Sequence, residues 1–382
     1  MGYVGDKFGR KTALEISIFL MAFPTFAMGC LPTYAQVGWF SIVLLILVRL
    51  LQGLSVGGQL MSSLVFTLEQ HDKSQWGLYG SLVMAAANFG TLLGGIVGFT
   101  MRESLTEQQL LDWGWRVPFL AGIIVSFCGI YLRYHCDEYS HLTAASSTSS
   151  PPANPLRVAF SRGNRRALGA ASLVPMLWSA GFYTTFVWMA IYMETLLDDP
   201  VPHAFGVNSA ALLLSVCILF PLAGIWSDKW GRKTTMTIGG VAFGVASPIM
   251  IYIIGLGNPY GAFVSQCIMG VALSYWGAPM MAWLVESFSP EARLTSVAVG
   301  YNVAQATIGG LAPSIATLLV DSIGAVAPGF LLSIVAILSL IGLRCVAPHD
   351  IEATTATTTP TIETKTTTPE IEAVDLGDKE IA

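Results

Sequence analysis

The chain has 382 residues, 53% of them hydrophobic and only 11% charged, with a formal net charge of −5. A soluble domain carries about 25% charged residues, so these proportions exclude a water-soluble globular protein and point to one that lowers its free energy in lipid. The net charge comes largely from the C-terminal end and says little about partners.

Ten apolar spans follow one another over about 13–33, 38–66, 77–100, 115–133, 168–197, 208–227, 234–255, 259–286, 294–320 and 326–346, each long enough to cross a hydrocarbon core of about 30 Å. In lipid such a span satisfies its own backbone hydrogen bonds only as a helix. The expected fold class is therefore an all-α polytopic membrane protein. If residue 1 is cytosolic, sixteen of the nineteen Lys and Arg residues fall in cytosolic segments; Arg102 and Arg116 fall outside and Arg49 within a span. By the positive-inside rule both ends are cytosolic. The stretch 134–166 is polar and ends in the basic cluster Arg162, Arg165 and Arg166. From about 350 onward the chain is rich in Thr, Pro and Glu and has too few large apolar residues to fold. The six cysteines show no metal-ligand spacing and read as small packing residues.

Two segments are near copies: Gly2-Tyr3-Val4-Gly5-Asp6-Lys7-Phe8-Gly9-Arg10-Lys11 and Gly224-Ile225-Trp226-Ser227-Asp228-Lys229-Trp230-Gly231-Arg232-Lys233. Each precedes a long apolar run. Gly2 and Gly224 let neighbouring helices approach closely, and Gly9 and Gly231 permit a tight turn. Asp6 and Asp228 can accept hydrogen bonds from a helix N-terminus of the opposite half, or pair with Arg10 and Arg232.

This duplicated loop resembles the hallmark loop of the major facilitator superfamily. Further segments resemble its metabolite:proton symporter branch, which includes proline/betaine, 2-oxoglutarate, citrate and shikimate permeases. They are Arg49-Leu50-Leu51-Gln52-Gly53, the block Asp112-Trp113-Gly114-Trp115-Arg116-Val117-Pro118-Phe119, and Glu286-Ser287-Phe288-Ser289-Pro290 followed by Arg293, Tyr301 and Asn302. Gln59 stands where the branch carries an acid; an amide cannot change charge. The resemblance implies a two-bundle fold with twelve spans, of which ten are present and the first two absent. It divides the chain into an N-terminal bundle of four helices (1–133), a cytosolic loop (134–166), a six-helix bundle (167–349) and a disordered tail (350–382).

The resemblance also implies alternating-access transport of a small organic solute in a plasma membrane, driven by a proton gradient; the alternatives are an uncoupled facilitator, or a non-functional or truncated transporter fragment or sensor. It implies no enzyme activity, cofactor, metal or nucleic-acid partner, and a monomer in the bilayer. Under this reading Gly2, Asp6, Gly9, Arg10, Gly224, Asp228, Gly231 and Arg232 form a cytosolic gate. Arg49 lies close to mid-bilayer, where a charge is costly unless paired or hydrated. It can bind Gln52, or receive a substrate carboxylate. Tyr183, Trp188, Tyr275 and Trp276 could line a cavity and hold a quaternary ammonium by cation–π attraction, with Tyr301 and Asn302 beside them. As only Arg49 brings positive charge to mid-depth, a zwitterion such as betaine or proline, or a simple organic acid, fits better than a tricarboxylate. Glu138 and Glu286 are candidate relay acids.

Overall fold

The computed structural model describes residues 2–124, 155–197 and 199–345, with 127, 130, 131 and 134 besides. The loop residues 135–154 with Glu138, and the tail 350–382, lie outside the described residues. The described chain is helical and contains no strand. Its helices are α1 (Gly2–Phe8), α2 (Arg10–Gly29), α3 (Trp39–Glu69), α4 (Lys73–Ser104), α5 (Arg116–Leu120), α6 (Arg165–Leu196), α7 (Ala204–Trp230), α8 (Arg232–Ile254), α9 (Pro259–Glu286), α10 (Pro290–Ser322) and α11 (Ala327–Cys345). Nine of these are long and apolar enough to cross a membrane. The expected span at 115–133 is described continuously only as far as Ile124.

Local sequence sets the breaks. The chain turns between α1 and α2 at Gly9 (φ 104°) and between α7 and α8 at Gly231 (φ 89°), a backbone region that disfavours a Cβ. Asn258 caps α9, its Oδ1 accepting from the Tyr260 and Gly261 N–H groups. α4 and α10 each open with a 3₁₀ turn, Lys73–Gln75 and Pro290–Ala292, before regular α-turns begin at Trp76 and Arg293.

The main core lies in the second half, where Trp178, Phe220, Phe243 and Trp276 interlock. α9 is buried on every side over its C-terminal half, Trp276–Val285, while Tyr260, Val264 and Ile268 keep one stripe of its first half exposed. Helices α3 and α4 instead keep many apolar side chains at the surface, including Ile46, Leu50 and Leu54 on α3 and Phe89, Leu93 and Ile96 on α4. Two seams join the halves: α4 packs on α7 and α9, and α10 packs on α1 and α3. Wide π-turns interrupt α6 at Tyr183–Trp188 and Tyr192–Leu196, α7 at Leu213–Ile218 and α10 at Gln305–Gly309.

Candidate functional site

The two hairpins sit on the same face and close it by equivalent contacts. In the first, Asp6 accepts from the Leu294 N–H (3.3 Å) and the Thr295 N–H (2.7 Å), the first turn of regular α-helix in α10. In the second, Asp228 accepts from the Gly77 N–H (2.9 Å) and the Leu78 N–H (3.0 Å), the corresponding turn of α4. Each carboxylate thus meets the positive end of a helix dipole contributed by the other half. Close approach depends on missing side chains. A Cβ on Gly2 would lie 2.8 Å from Thr295 Cα, and one on Gly77 would lie 2.6 Å from the Gly224 carbonyl oxygen.

The arginines tie each latch to a second acid. Arg10 pairs with Asp6 (3.1 Å) and Glu69 (3.1 Å) and donates to the carbonyls of Gly5 and Pro290. Glu69 also receives Arg293 at 2.9 Å, and the Arg293 guanidinium lies over the Trp76 ring. Arg232 pairs with Asp228 and with Glu286 (3.2 Å), and donates to Ser227 Oγ at 3.0 Å. Glu286 is therefore a partner of the second latch at the hairpin face. Glu69 and Arg293 escaped the sequence reading as a pair. The available signal was a shared spacing: Glu69 precedes Trp76 by the same interval that separates Glu286 from Arg293.

Burial holds the Asp6 carboxyl above its ordinary value of 3.8, against the opposing pull of Thr295, Arg10 and the Leu294 N–H. Such a carboxyl binds its proton more readily in the closed latch than in a solvated, open one. The resulting stabilisation of the closed latch is complete below the ordinary value and is lost as pH rises through the raised one. The expected outcome is that Asp6→Asn removes this share of the pH dependence of thermal unfolding. Identical pH profiles for the parent and the variant would refute the assignment.

Away from the latches the expected site residues are dispersed. Arg49 lies about 15 Å along α3 from its Trp39 end at 1.5 Å per residue. It is exposed, has no carboxylate partner among the described residues, and reaches only Gln52 Oε1 at 3.4 Å. Gln52 in turn donates to Thr25 Oγ1 at 3.0 Å. Tyr301 is buried, with its hydroxyl accepting from Gln305 Nε2. Asn302 bridges the α10–α3 seam, donating to the Gly57 carbonyl. Tyr183 is half-buried beside Gly309, and Trp188 is buried, stacked on Tyr192 and bonded to Thr317 Oγ1 at 2.9 Å.

Two expectations require correction. Trp276 does not line a cavity: it is fully buried in the core, its indole N–H on the Val174 carbonyl. Its neighbour Tyr275 faces the outer side of α9, against Trp226 and an apolar groove formed with Ile238, Ala242, Cys267, Ile268 and Val271. Consecutive helical residues point about 100° apart, so an inward Trp276 turns Tyr275 outward. Trp188 is likewise buried, which leaves Tyr183 as the partly exposed aromatic of α6.

The class defined by this fold and these paired latches is a polytopic α-helical membrane protein whose halves meet through a duplicated hairpin. Residues 1–199 and 199–373 match the family model described as Major Facilitator Superfamily. The chain belongs to that superfamily and is a membrane transporter of a small molecule. It is 32% identical over 328 residues to the alpha-ketoglutarate permease of Escherichia coli K12, covering 85% of this chain and 73% of the permease. It is 28% identical to the proline/betaine transporter of Salmonella typhimurium LT2, covering 89% and 69% of the two chains. The proton:xylose symporter XylE shares the fold, with a TM-score of 0.72 at 18% identity over 92% of this chain and 85% of that one.

Proposed function

We propose that the protein is a secondary active transporter. It would carry a small zwitterion such as betaine or proline, or a small organic acid, across the plasma membrane by alternating access, with the hairpin face and both termini cytosolic. The observation that carries this reading is the equivalence of the two latches, each placing an aspartate on the N-terminus of a helix from the other half. Contacts of this kind form only when that face is shut, so they bias one of two states. Arg49 has no carboxylate partner among the described residues, which leaves its guanidinium for a solute carboxylate. The printed names of the two curated relatives, a permease for a keto acid and a transporter for zwitterions, support the solute class.

A proton gradient is the proposed driving force, supported by the fold shared with a proton:xylose symporter. One observation favours an uncoupled facilitator as the second reading. Every described carboxylate lies within two turns of a helix end or in a connection, leaving no described acid beside Arg49. Uptake of labelled betaine, proline and alpha-ketoglutarate into proteoliposomes, with and without a protonophore, tests both. Accumulation abolished by the protonophore supports proton-driven transport, and equilibration that ignores it supports the facilitator. Failure to move any of the three would sink the solute assignment.

A further inference from the structure

The π-turn at Tyr183–Trp188 lifts backbone carbonyls of α6 out of the regular helical ladder. Two of them are answered from other helices. Asn208 Nδ2 of α7 donates to the Phe186 carbonyl at 2.9 Å. Gln266 Nε2 of α9 donates to the Thr185 carbonyl at 2.9 Å and to Asn208 Oδ1 at 2.7 Å. Both amides are buried, Gln266 completely. The bonds fix the orientation of each amide: the Gln266 nitrogen faces two acceptors, which leaves its oxygen over.

Among the described residues, that oxygen is buried without a partner, and so are the hydroxyls of Thr184 and Thr185 in the turn itself. A buried polar group without a partner is costly, so the wide turn persists against a penalty, and the relay is what opposes it. Rewinding the turn to a regular α-helix would return the Thr185 and Phe186 carbonyls to the ladder. It would also rotate everything beyond the turn by about 100°, the angle of one residue.

The segment beyond the turn is held firmly on one side and loosely on the other. Toward α10, Trp188 bonds Thr317 and the Tyr192 hydroxyl reaches the Ala325 carbonyl at 3.4 Å. Toward α4, on the face opposite the latches, Glu194 meets Arg102 at 3.4 Å with both side chains about half exposed. An exposed pair of this kind contributes little. The gap between α6 and α4 on that face therefore depends on the phase of α6, which this turn sets for Met189–Ile191 and passes on to the second wide turn at Tyr192–Leu196.

We propose that Asn208 and Gln266 are positioning residues for transport: their amide relay selects the wide-turn form of α6. In doing so it sets how the segment Met189–Leu196 stands relative to α4 on the face opposite the latches. This rests on the transporter reading for its purpose, though its test needs no solute.

In the full chain with the native cysteines replaced by serine, Ile191→Cys reports the exposed stripe that leads to Glu194, and Tyr260→Cys reports the same face independently. The readout is the rate of labelling by a membrane-impermeant maleimide at the first site divided by that at the second. Gln266→Met and Asn208→Leu remove the donors, and each is expected to shift this ratio about tenfold, as a change of phase carries Ile191 off its face. A ratio that stays at the parent value in a monodisperse variant overturns the proposal, even if uptake is lost, since that pattern describes a packing role alone. Should Gln266→Met fail to fold, Asn208→Leu decides, because it leaves the Gln266 bond to Thr185 in place. A protein that moves no solute would still yield the ratio, so failure of the transport reading and failure of this one are separable.

Discussion

Gly224→Val is expected to hold the hairpin face open and to reduce uptake at least tenfold, with insertion and expression unchanged. The reason is a backbone-to-backbone crossing of α7 and α4 in which both partners are glycine. A Cβ on Gly77 would already stand 2.6 Å from the Gly224 carbonyl oxygen, and one on Gly224 would run into Ser81 and the Gly77 carbonyl. The Ser81 hydroxyl can rotate away, but the Gly77 carbonyl and the Ser81 Cβ are fixed to the backbone of α4 and cannot swing aside. The helices must separate, and separation withdraws the Gly77 and Leu78 N–H groups from Asp228. Hydrogen bonds to a charged group contribute about 1.5–3 kcal/mol each. Losing one such bond shifts the ratio of closed to open states roughly tenfold or more at 1.4 kcal/mol per decade. A transporter that cannot shut one face cannot complete its cycle. Accessibility of a single cysteine at the hairpin face, read with an impermeant thiol reagent, checks the result. An unchanged labelling rate with normal uptake would remove the latch from the mechanism.

Arg49→Ala should abolish uptake of a carboxylate-bearing solute while leaving the protein in the membrane. Arg49 sits well inside α3, and among the described residues its guanidinium has only a long contact with Gln52. A cation held at that depth without a paired acid is costly, which argues that it is retained for a ligand. A charge-assisted bond to a carboxylate contributes about 3 kcal/mol at the upper end, and its loss corresponds to about a hundredfold fall in affinity. Arg49→Lys should recover part of the loss, since it keeps the charge but not the planar fork that grips two oxygens. Uptake by Arg49→Ala at the parent rate would overturn the assignment. A selective loss for acids, with betaine or proline unaffected, would instead show that zwitterions bind elsewhere.

Much of the fold could be read from the chain because its causes are local. An apolar run of twenty residues becomes a helix in lipid whatever its neighbours do, since no other local structure satisfies its backbone. The hairpins were legible because the same residues occur twice, with glycine at both turn positions. The latch carboxylates followed from that repetition, though not their second partners. Glu69 and Arg293 lie 224 positions apart, and nothing in either segment alone names the other.

Other contacts were invisible for a related reason. α9 is apolar on every side, so periodicity could not tell which of Tyr275 and Trp276 points inward; packing against α6 and α8 made that choice. Asn208 and Gln266 stand as single amides in apolar spans, and only folding brings them together at the π-turn of α6. By itself, then, the order of residues determined that this chain spans a membrane, that it carries a duplicated hairpin, and where a charge falls within a span. Only tertiary structure decided which helix ends the aspartates cap, which aromatics face the core, and where α6 departs from regular winding. Those outcomes depend on side chains meeting across hundreds of positions, and such meetings are fixed by the packing of whole helices rather than by any short stretch of sequence.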